Sequence, residues 1–349
     1  MATLKWFRDI GLADRETVGG KGASLGELDR AGIRVPPGFV ITAQAFEAFL
    51  QEIDPRGEVR AAIESLSERD PGLAGTTAEA RALIESRRLP EALRAAIDEA
   101  YAVLCRGDVD TPVAVRSSAT SEDSEDASFA GLQDTYLWLR GLDAVLVHVR
   151  RCWASLYSEP SVAYRRRLKL PESGVAMGVV VQRMVDARSA GVIFTRSPTT
   201  GDRSVISVEA AWGLGSAVVG GEVTPDRFTL NKVTLEVLSR TISCKAVRHV
   251  PVAAGGVIDE AVPEAEESAP SVSEAELQEL ARIAKRVEQH YGRAQDIEWA
   301  IDARLPAAEA ILLLQSRPET VWSKRDGEPA APVRASAFDH LMATLSGRR

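Results

Sequence analysis

The sequence predicts a mixed helix-and-strand protein, on three observations. Residues 43–105 read as largely helical, broken near Asp54-Pro55 and Asp70-Pro71. Residues from about 178 to 250 carry short β-branched runs instead. Two closing strands, about 296–302 and 310–316, follow an amphipathic helix that opens at Ser273. With 349 residues the chain can bury a sizeable core and hold two or three subdomains.

The first fifty residues contain the glycine cluster Val18-Gly-Gly-Lys-Gly-Ala-Ser-Leu-Gly26, then a helix from about Ala23 to Ala31. Val35-Pro-Pro-Gly-Phe-Val-Ile-Thr42 is a turn into a strand, because Pro36 and Pro37 forbid helix there. Val113 to Val115 is a short buried strand. Arg116 follows at once, then a loop of hydroxyls and carboxylates that closes at Gly131. Between 142 and 168, Val145, Val149, Trp153 and Leu156 recur at helical spacing. Gly178–Val185, Ala190–Thr195 and Ser204–Glu209 are strands, the last running into Trp212-Gly-Leu-Gly215. Phe228–Val250 reads as a hairpin or meander, and 251–272 as a surface connection rich in Ala, Gly, Pro and Glu. Ser273-Glu-Ala-Glu276 is a capping box. It opens a helix with Leu277, Leu280, Ile283, Ala284 and Val287 in one stripe and Gly292 as its stop. The tail after Trp322 is polar and reads as loosely held.

Composition is that of an ordinary globular protein, 45% hydrophobic and 26% charged, and the net charge is −8. An acidic chain argues against a general nucleic-acid or acidic-membrane surface, while leaving room for a local cationic pocket. Cys105, Cys152 and Cys244 are far apart and form no CxxC pair, so reduced thiols are expected rather than disulfides or a zinc site. Met1-Ala-Thr-Leu-Lys-Trp6 has no apolar signal core, and no apolar run has membrane-helix length, so we expect a cytoplasmic location.

The glycine cluster around Lys21 is not a Walker A loop: that motif needs glycine where Arg15 stands, and Ser or Thr where Gly22 stands. Glycines still allow close backbone approach to a phosphate, with Lys21 as a point charge; a simple turn is the other reading. Arg116 is fixed by the preceding strand and suits either a phosphate or a surface ion pair. Arg165, Arg166, Arg167 and Lys169 read as a solvated helix end. Near the C-terminus, Ile297, Trp299 and Ile301 share one strand face, and Asp296, Glu298 and Asp302 share the other. Gln315 and Arg317 also share a face, so a hairpin can gather Glu298, Gln315 and Arg317. That set suits a magnesium-bridged polyphosphate, or an exposed ion pair. Glu209 ends a strand where a ribose could bond it, and Gln182, Met184 and Val185 end another where an adenine could rest. His148, His249, His290 and His340 are scattered and show no Ser/His/Asp or metal-ligand spacing.

Val18–Gly26, Val35–Thr42, Val113–Thr135, Val179–Pro198, Glu209–Phe228 and Asp296–Thr320, taken in order, resemble the ATP-grasp nucleotide-binding domain of the phosphoenolpyruvate synthase and pyruvate phosphate dikinase family. The resemblance spans about residues 10–322. It implies an α+β fold with two subdomains enclosing the nucleotide, 1–190 and 191–322, and a polar tail, 323–349. By the same resemblance Lys21 and Arg116 hold phosphates, and Gln182, Met184 and Val185 line the adenine. Glu209 takes the ribose and Thr195 helps on the phosphate side. Glu298, with Gln315, binds Mg2+. Arg317 steadies the phosphoryl group in flight, so Arg317, Arg116 and Lys21 form the expected catalytic set.

Members of that family split ATP into AMP and phosphate and pass the β-phosphate through a phosphohistidine on a swivelling domain. This chain contains no Thr-Ser-His-Ala-type stretch, and it carries Ser216 where many relatives have Glu after Gly-Leu-Gly. The initial Met and the tail lead us to expect a full-length subunit that works with a histidine-bearing phosphocarrier partner. Phenylphosphate synthase is divided in this way, which makes phenol the expected acceptor. The alternatives are the ATP-binding part of a phosphoenolpyruvate synthase or rifamycin phosphotransferase-like enzyme, and a non-catalytic nucleotide-sensing module.

Overall fold

Two antiparallel sheets, each backed by its own helices, divide the chain between them. The computed structural model describes residues 3–106, 111–120 and 134–323. The first sheet contains β1 (Leu4–Trp6), β2 (Gly38–Ile41), β3 (Val113–Ala119), β4 (Thr135–Leu139) and β5 (Met177–Arg183), in the order β1-β2-β5-β3-β4. The second begins with β6 (Ala187–Phe194), β7 (Val205–Trp212), β8 (Asp226–Asn231) and β9 (Val237–Thr241). A separate hairpin of β10 (Val247–Pro251) and β11 (Val257–Ala261) follows. β12 (Gln295–Asp302) and β13 (Ile311–Pro318) then return to the second sheet, whose order is β13-β12-β6-β7-β8-β9.

Ten α-helices are described: α1 (Arg15–Arg30), α2 (Ala43–Ile53), α3 (Glu58–Glu64), α4 (Leu73–Ser86), α5 (Glu91–Cys105), α6 (Leu142–Ser155), α7 (Glu159–Arg167), α8 (Ser216–Val219), α9 (Glu264–Glu267) and α10 (Glu274–Tyr291). The break expected at Asp54-Pro55 is where α2 stops. Asp54 then accepts from the amides of Glu58 and Val59 at 2.8 and 2.9 Å, capping α3. The stripe on α10 and its capping box are both present. Ser273 Oγ accepts from Glu276 N at 3.3 Å, Glu276 Oε2 accepts from Ser273 N at 2.8 Å, and Gly292 ends the helix at φ 67°.

Each sheet has its own apolar core. Phe39, Phe46, Phe49 and Trp153 anchor the first, with Phe49 stacked on Trp153 at 5.1 Å between ring centroids. Ile297, Trp299 and Ile301 pack against Leu277, Leu280, Ala284 and Val287 of α10 in the second. α1 joins the two. Its glycines let it press on β3: Gly19 has φ 75°, and a Cβ there would stand 1.9 Å from Ser118 O. Farther along, Ser24 Oγ donates to Ser316 O of β13 at 2.6 Å. α1 is two helical pieces that meet at Gly19, whose φ 75° and ψ 175° kink the chain, so the longer piece begins just past Gly19, close to the expected start near Ala23, and a short turn from Arg15 precedes it.

Two further features differ from the sequence expectation. The chain changes sheets at 184–186, so a boundary at 190 falls inside β6, which belongs wholly to the second sheet. The stretch expected as a plain connection, 251–272, holds β11 and α9; β11 pairs with β10 through mostly exposed residues, whose apolar signal is weak. Residues 121–133, most of the acidic loop, and the tail from 324 lie outside the described residues. Among the described residues no helix is long and apolar enough to cross a membrane.

A fully buried ion pair ties the second sheet to the connection before α10. Lys245 Nζ lies 2.7 Å from Asp226 Oδ1, and Asp226 Oδ2 accepts from Ser271 N and Oγ at 2.8 and 2.7 Å. Removing one member leaves a buried charge without its counter-ion. Asp226→Ala is therefore expected to lower unfolding free energy by about 3–5 kcal/mol, measured by urea denaturation. The three cysteines make a second expectation. Cys105 and Cys152 are buried and Cys244 is exposed. Burial pushes the Cys152 thiol up, while Cys244 is held above its ordinary value by donating to Glu267 Oε2 at 3.3 Å. Native protein should alkylate at Cys244 alone. Glu267→Gln should lower the Cys244 pKa, raise its thiolate fraction and speed iodoacetamide labelling several-fold near pH 8. An unchanged rate would remove Glu267 as the cause.

Candidate nucleotide-binding site

The cleft between the sheets has a volume of about 360 Å³, within the roughly 300–1,000 Å³ common for small-molecule sites. Its walls come from the ends of β3, β4 and β5 on one side and from β6, β12, β13 and α8 on the other. Lys21, Arg116, Gln182, Met184, Val185, Glu298, Gln315 and Arg317 all line it. These eight are spread over nearly 300 positions of sequence, and the meeting of the two sheets brings them together.

Arg116 is the centre of the polar end. Its side chain is nearly buried and leaves β3 toward the second sheet. Nη1 donates to Leu314 O at 2.7 Å, and Nη2 donates to Gln315 Oε1 at 2.7 Å. Nη2 also lies 3.4 Å from Glu298 Oε2. Gln182 Oε1 lies 3.5 Å from Nη1, while Gln182 Nε2 donates to Pro36 O at 3.1 Å. A buried guanidinium thus sits among one carboxylate, two amide oxygens and a peptide carbonyl.

A bulge makes this possible. Glu298 pairs with Gln315 and Trp299 with Leu313, so Leu314 is an extra residue on β13. Without it, strict alternation would put Gln315 and Arg317 on the same face as Leu313, which is buried in the second core. With it, Gln315 and Arg317 face the cleft, and the Leu314 carbonyl leaves the ladder to accept from Arg116. Asp296 pairs with Arg317 across β12 and β13, and Arg317 Nε lies 3.9 Å from Asp296 Oδ2. The Arg317 side chain is 43% exposed and therefore free to turn toward a ligand.

Lys21 sits just past the Gly19 kink of α1. Gly22 N donates to Ser118 Oγ at 3.0 Å, and Ser118 Oγ donates to Val18 O at 2.8 Å. This pair of bonds holds the start of α1 on β3, two residues beyond Arg116. The other end of the cleft is apolar. Val185, Ala190 and Ala300 form a buried group packed by Leu312 and Leu314, with Leu137, Leu214 and Val219 along the walls. Met184 N donates to Pro112 O at 2.9 Å, which seats the crossover strand between the sheets.

Two expected residues stand elsewhere. Thr195 is fully buried; its Oγ1 accepts from Gln295 N at 2.8 Å and its amide donates to Gln295 O at 3.0 Å. The hydroxyl closes the end of the β6–β12 ladder and does not line the cleft. Glu209 shares the face of Glu298, with Val192 between them, about 10 Å away at ordinary strand spacing. Its carboxylate accepts from Arg227 Nε at 3.1 Å, and it too is outside the cleft lining.

The fold also builds a grouping that sequence spacing did not reveal. Ser216 lines the cleft, and its Oγ lies 2.7 Å from His249 Nδ1. His249 Nε2 lies 3.0 Å from Glu222 Oε2 and 3.2 Å from Asp259 Oδ1. The four residues come from α8, the turn after it, β10 and β11, so no local pattern could signal them.

Chemically, Lys21, Arg116 and Arg317 offer three cations to an anion, and Glu298 with Gln315 offers hard oxygen donors of the kind a magnesium ion takes. The apolar end offers aliphatic side chains. Comparison with known proteins agrees with this layout. Residues 15–336 match the family described as "Pyruvate phosphate dikinase, AMP/ATP-binding domain". A phosphoenolpyruvate synthase of Aeropyrum pernix is 42% identical over 356 residues, covering 94% of this chain and 43% of its own length. A phosphoenolpyruvate synthase of Deinococcus radiodurans is 43% identical over 336 residues, 93% of this chain and 42% of its own. A rifampicin phosphotransferase of a Streptomyces species is 41% identical, covering 90% of this chain and 35% of its own. The chain thus spans less than half the length of these relatives. With nearly its full length matched and its two-sheet, ATP-grasp-type architecture in agreement, the chain belongs to the AMP/ATP-binding domain family of pyruvate phosphate dikinase.

Proposed function

We propose that this chain binds Mg-ATP in the cleft and performs the ATP-cleaving half of a dikinase-type phosphotransfer. The gathering of Lys21, Arg116, Glu298, Gln315 and Arg317 at one end of one cleft carries the reading. A pyrophosphoryl group passes from ATP to a histidine nitrogen on a separate domain or subunit, releasing AMP. Water then removes the terminal phosphate and leaves a phosphohistidine. The names of the relatives favour a phosphoenolpyruvate synthase-type or rifampicin phosphotransferase-like assembly over phenol phosphorylation.

In this reading the protein's work is positioning and charge neutralisation, as in other phosphoryl transfers. Magnesium would be held by Glu298 and Gln315 and would neutralise phosphate charge. Lys21 and Arg116 orient the phosphates. Arg317, the most exposed of the three cations, meets the group in transfer. The apolar end excludes water around the base, with Met184 and Val185 beside it.

The experiment uses ATP labelled at the β-phosphate, incubated with the chain in host-cell extract. An acid-labile, base-stable label on a second polypeptide is expected. Arg317→Ala should slow labelling by on the order of 10²–10³-fold while ATP still binds. ATP binding without any labelled acceptor would favour a nucleotide-sensing role and remove the transferase reading. A further expectation concerns Arg116→Lys. A single ammonium cannot reach Leu314 O, Gln315 and Glu298 together, so nucleotide affinity should fall about tenfold or more by titration calorimetry. Glu298→Gln should abolish the magnesium dependence of nucleotide affinity; persistence of that dependence would move the metal elsewhere.

A further inference from the structure

We propose that Glu222, His249 and Asp259 form a binding site for a divalent transition-metal ion of the zinc class, separate from the nucleotide cleft. Three observations converge on it. First, the ligand atoms have the spacing of a coordination polyhedron. Metal–ligand bonds of about 2.0–2.2 Å in a tetrahedron put neighbouring ligands roughly 3.3 Å apart. His249 Nε2 lies 3.0 Å from Glu222 Oε2 and 3.2 Å from Asp259 Oδ1, and all three ligand atoms lie within 4.8 Å of one another.

Second, hydrogen bonding alone accounts poorly for the group. Nε2 carries at most one hydrogen, yet two carboxylates face it. The carboxylates also repel each other at this range. Arg248, the neighbour of His249 on β10, is bonded to Glu260 instead. A cation between the three side chains satisfies both carboxylates and takes the Nε2 lone pair. Third, the histidine is already oriented for that role. His249 is 8% exposed, and its Nδ1 lies 2.7 Å from Ser216 Oγ. An Nδ1–H donated to that hydroxyl leaves Nε2 as the unprotonated, ligating nitrogen, the usual outer-shell device at metal-bound histidines.

Glu222 and Asp259 are 55% and 70% exposed, so an ion can enter and the fourth position is open to water. One histidine and two carboxylates suit zinc and similar metals better than magnesium, which favours oxygen ligands alone. The ion would cross-link the turn after α8 to both strands of the β10–β11 hairpin. The far end of that hairpin reaches the first sheet, where Gly256 N donates to Trp138 O at 3.0 Å. Metal binding would therefore stiffen a strap that runs from one sheet to the other.

The test is equilibrium dialysis of the whole chain against Zn2+ in magnesium-free buffer, with metal content measured per chain. Wild type should bind one ion saturably. Glu222→Gln combined with Asp259→Asn, both at exposed positions that leave the core intact, should weaken binding at least about a hundredfold. His249→Ala should do the same, and Glu298→Gln should leave this ion bound. Cobalt in place of zinc should give visible absorption typical of a four-coordinate site in wild type and none in the double variant. No saturable zinc, equal binding by wild type and double variant, or loss through Glu298→Gln alone would each overturn the proposal. All of these readouts are independent of ATP turnover, so failure of the transferase reading would leave them unaffected.

Discussion

The placement of one buried cation governs the rest of the site. Arg116 leaves the first sheet and, apart from Gln182, finds its acceptors on the second, at Leu314, Gln315 and Glu298. A guanidinium removed from water is costly unless its hydrogens and charge are met. Here Glu298, Gln315 and the Leu314 carbonyl meet the charge and the two terminal nitrogens, while Nε stays buried without a partner among the described residues. The same contacts fix the relative position of β3 and the β12–β13 hairpin at the polar end of the cleft. The acceptors that neutralise Arg116 are also the oxygen donors suited to magnesium. Under the proposed function, phosphates and metal would compete for the partners that now hold this side chain.

Around that contact the fold is arranged to bring two sheets close without merging them. α1 lies in the seam, packed on β3 and bonded to β13 through Ser24. Its glycines are explained by this crowding: at Gly19 both the positive φ and the 1.9 Å approach to Ser118 O exclude a side chain. The crossover at 184–186 is the covalent link, and the β10–β11 hairpin spans the same gap from another direction. Three independent connections therefore border one cleft. Arg116, Ser24 and the hairpin contact at Trp138 each bond across the gap between the sheets.

Much of the fold was legible in the chain. The helical stretch 43–105 with its breaks near Asp54-Pro55 and Asp70-Pro71, though not the third at 87–90 before α5, the capping box at Ser273, the stop at Gly292 and the closing strands all rest on local rules. Those rules act over a few residues, and the structure obeys them. The short helical piece before Gly19 was not legible, because it depends on the kink there and on the close approach to β3. Nor was β11, whose exposed residues lack the apolar alternation that marks a half-buried strand.

By itself the sequence determined which side chains could do chemistry: a lysine in a glycine cluster, an arginine after a strand, and a carboxylate, amide and arginine on two closing strands. Their order along the chain was enough to suggest the family. Tertiary structure alone decided which of them meet. The extra residue at Leu314 turns Gln315 and Arg317 from the core face to the cleft face, and a run of three leucines carries no mark of where a bulge will fall. Thr195 and Glu209 were equally readable as site residues, yet ladder closure engages one and Arg227 the other. Ser216, His249, Glu222 and Asp259 meet only because a hairpin folds back onto α8. A linear pattern reports the neighbours along a strand or a helix, whereas a site assembled from separate elements depends on register and packing set by the whole core.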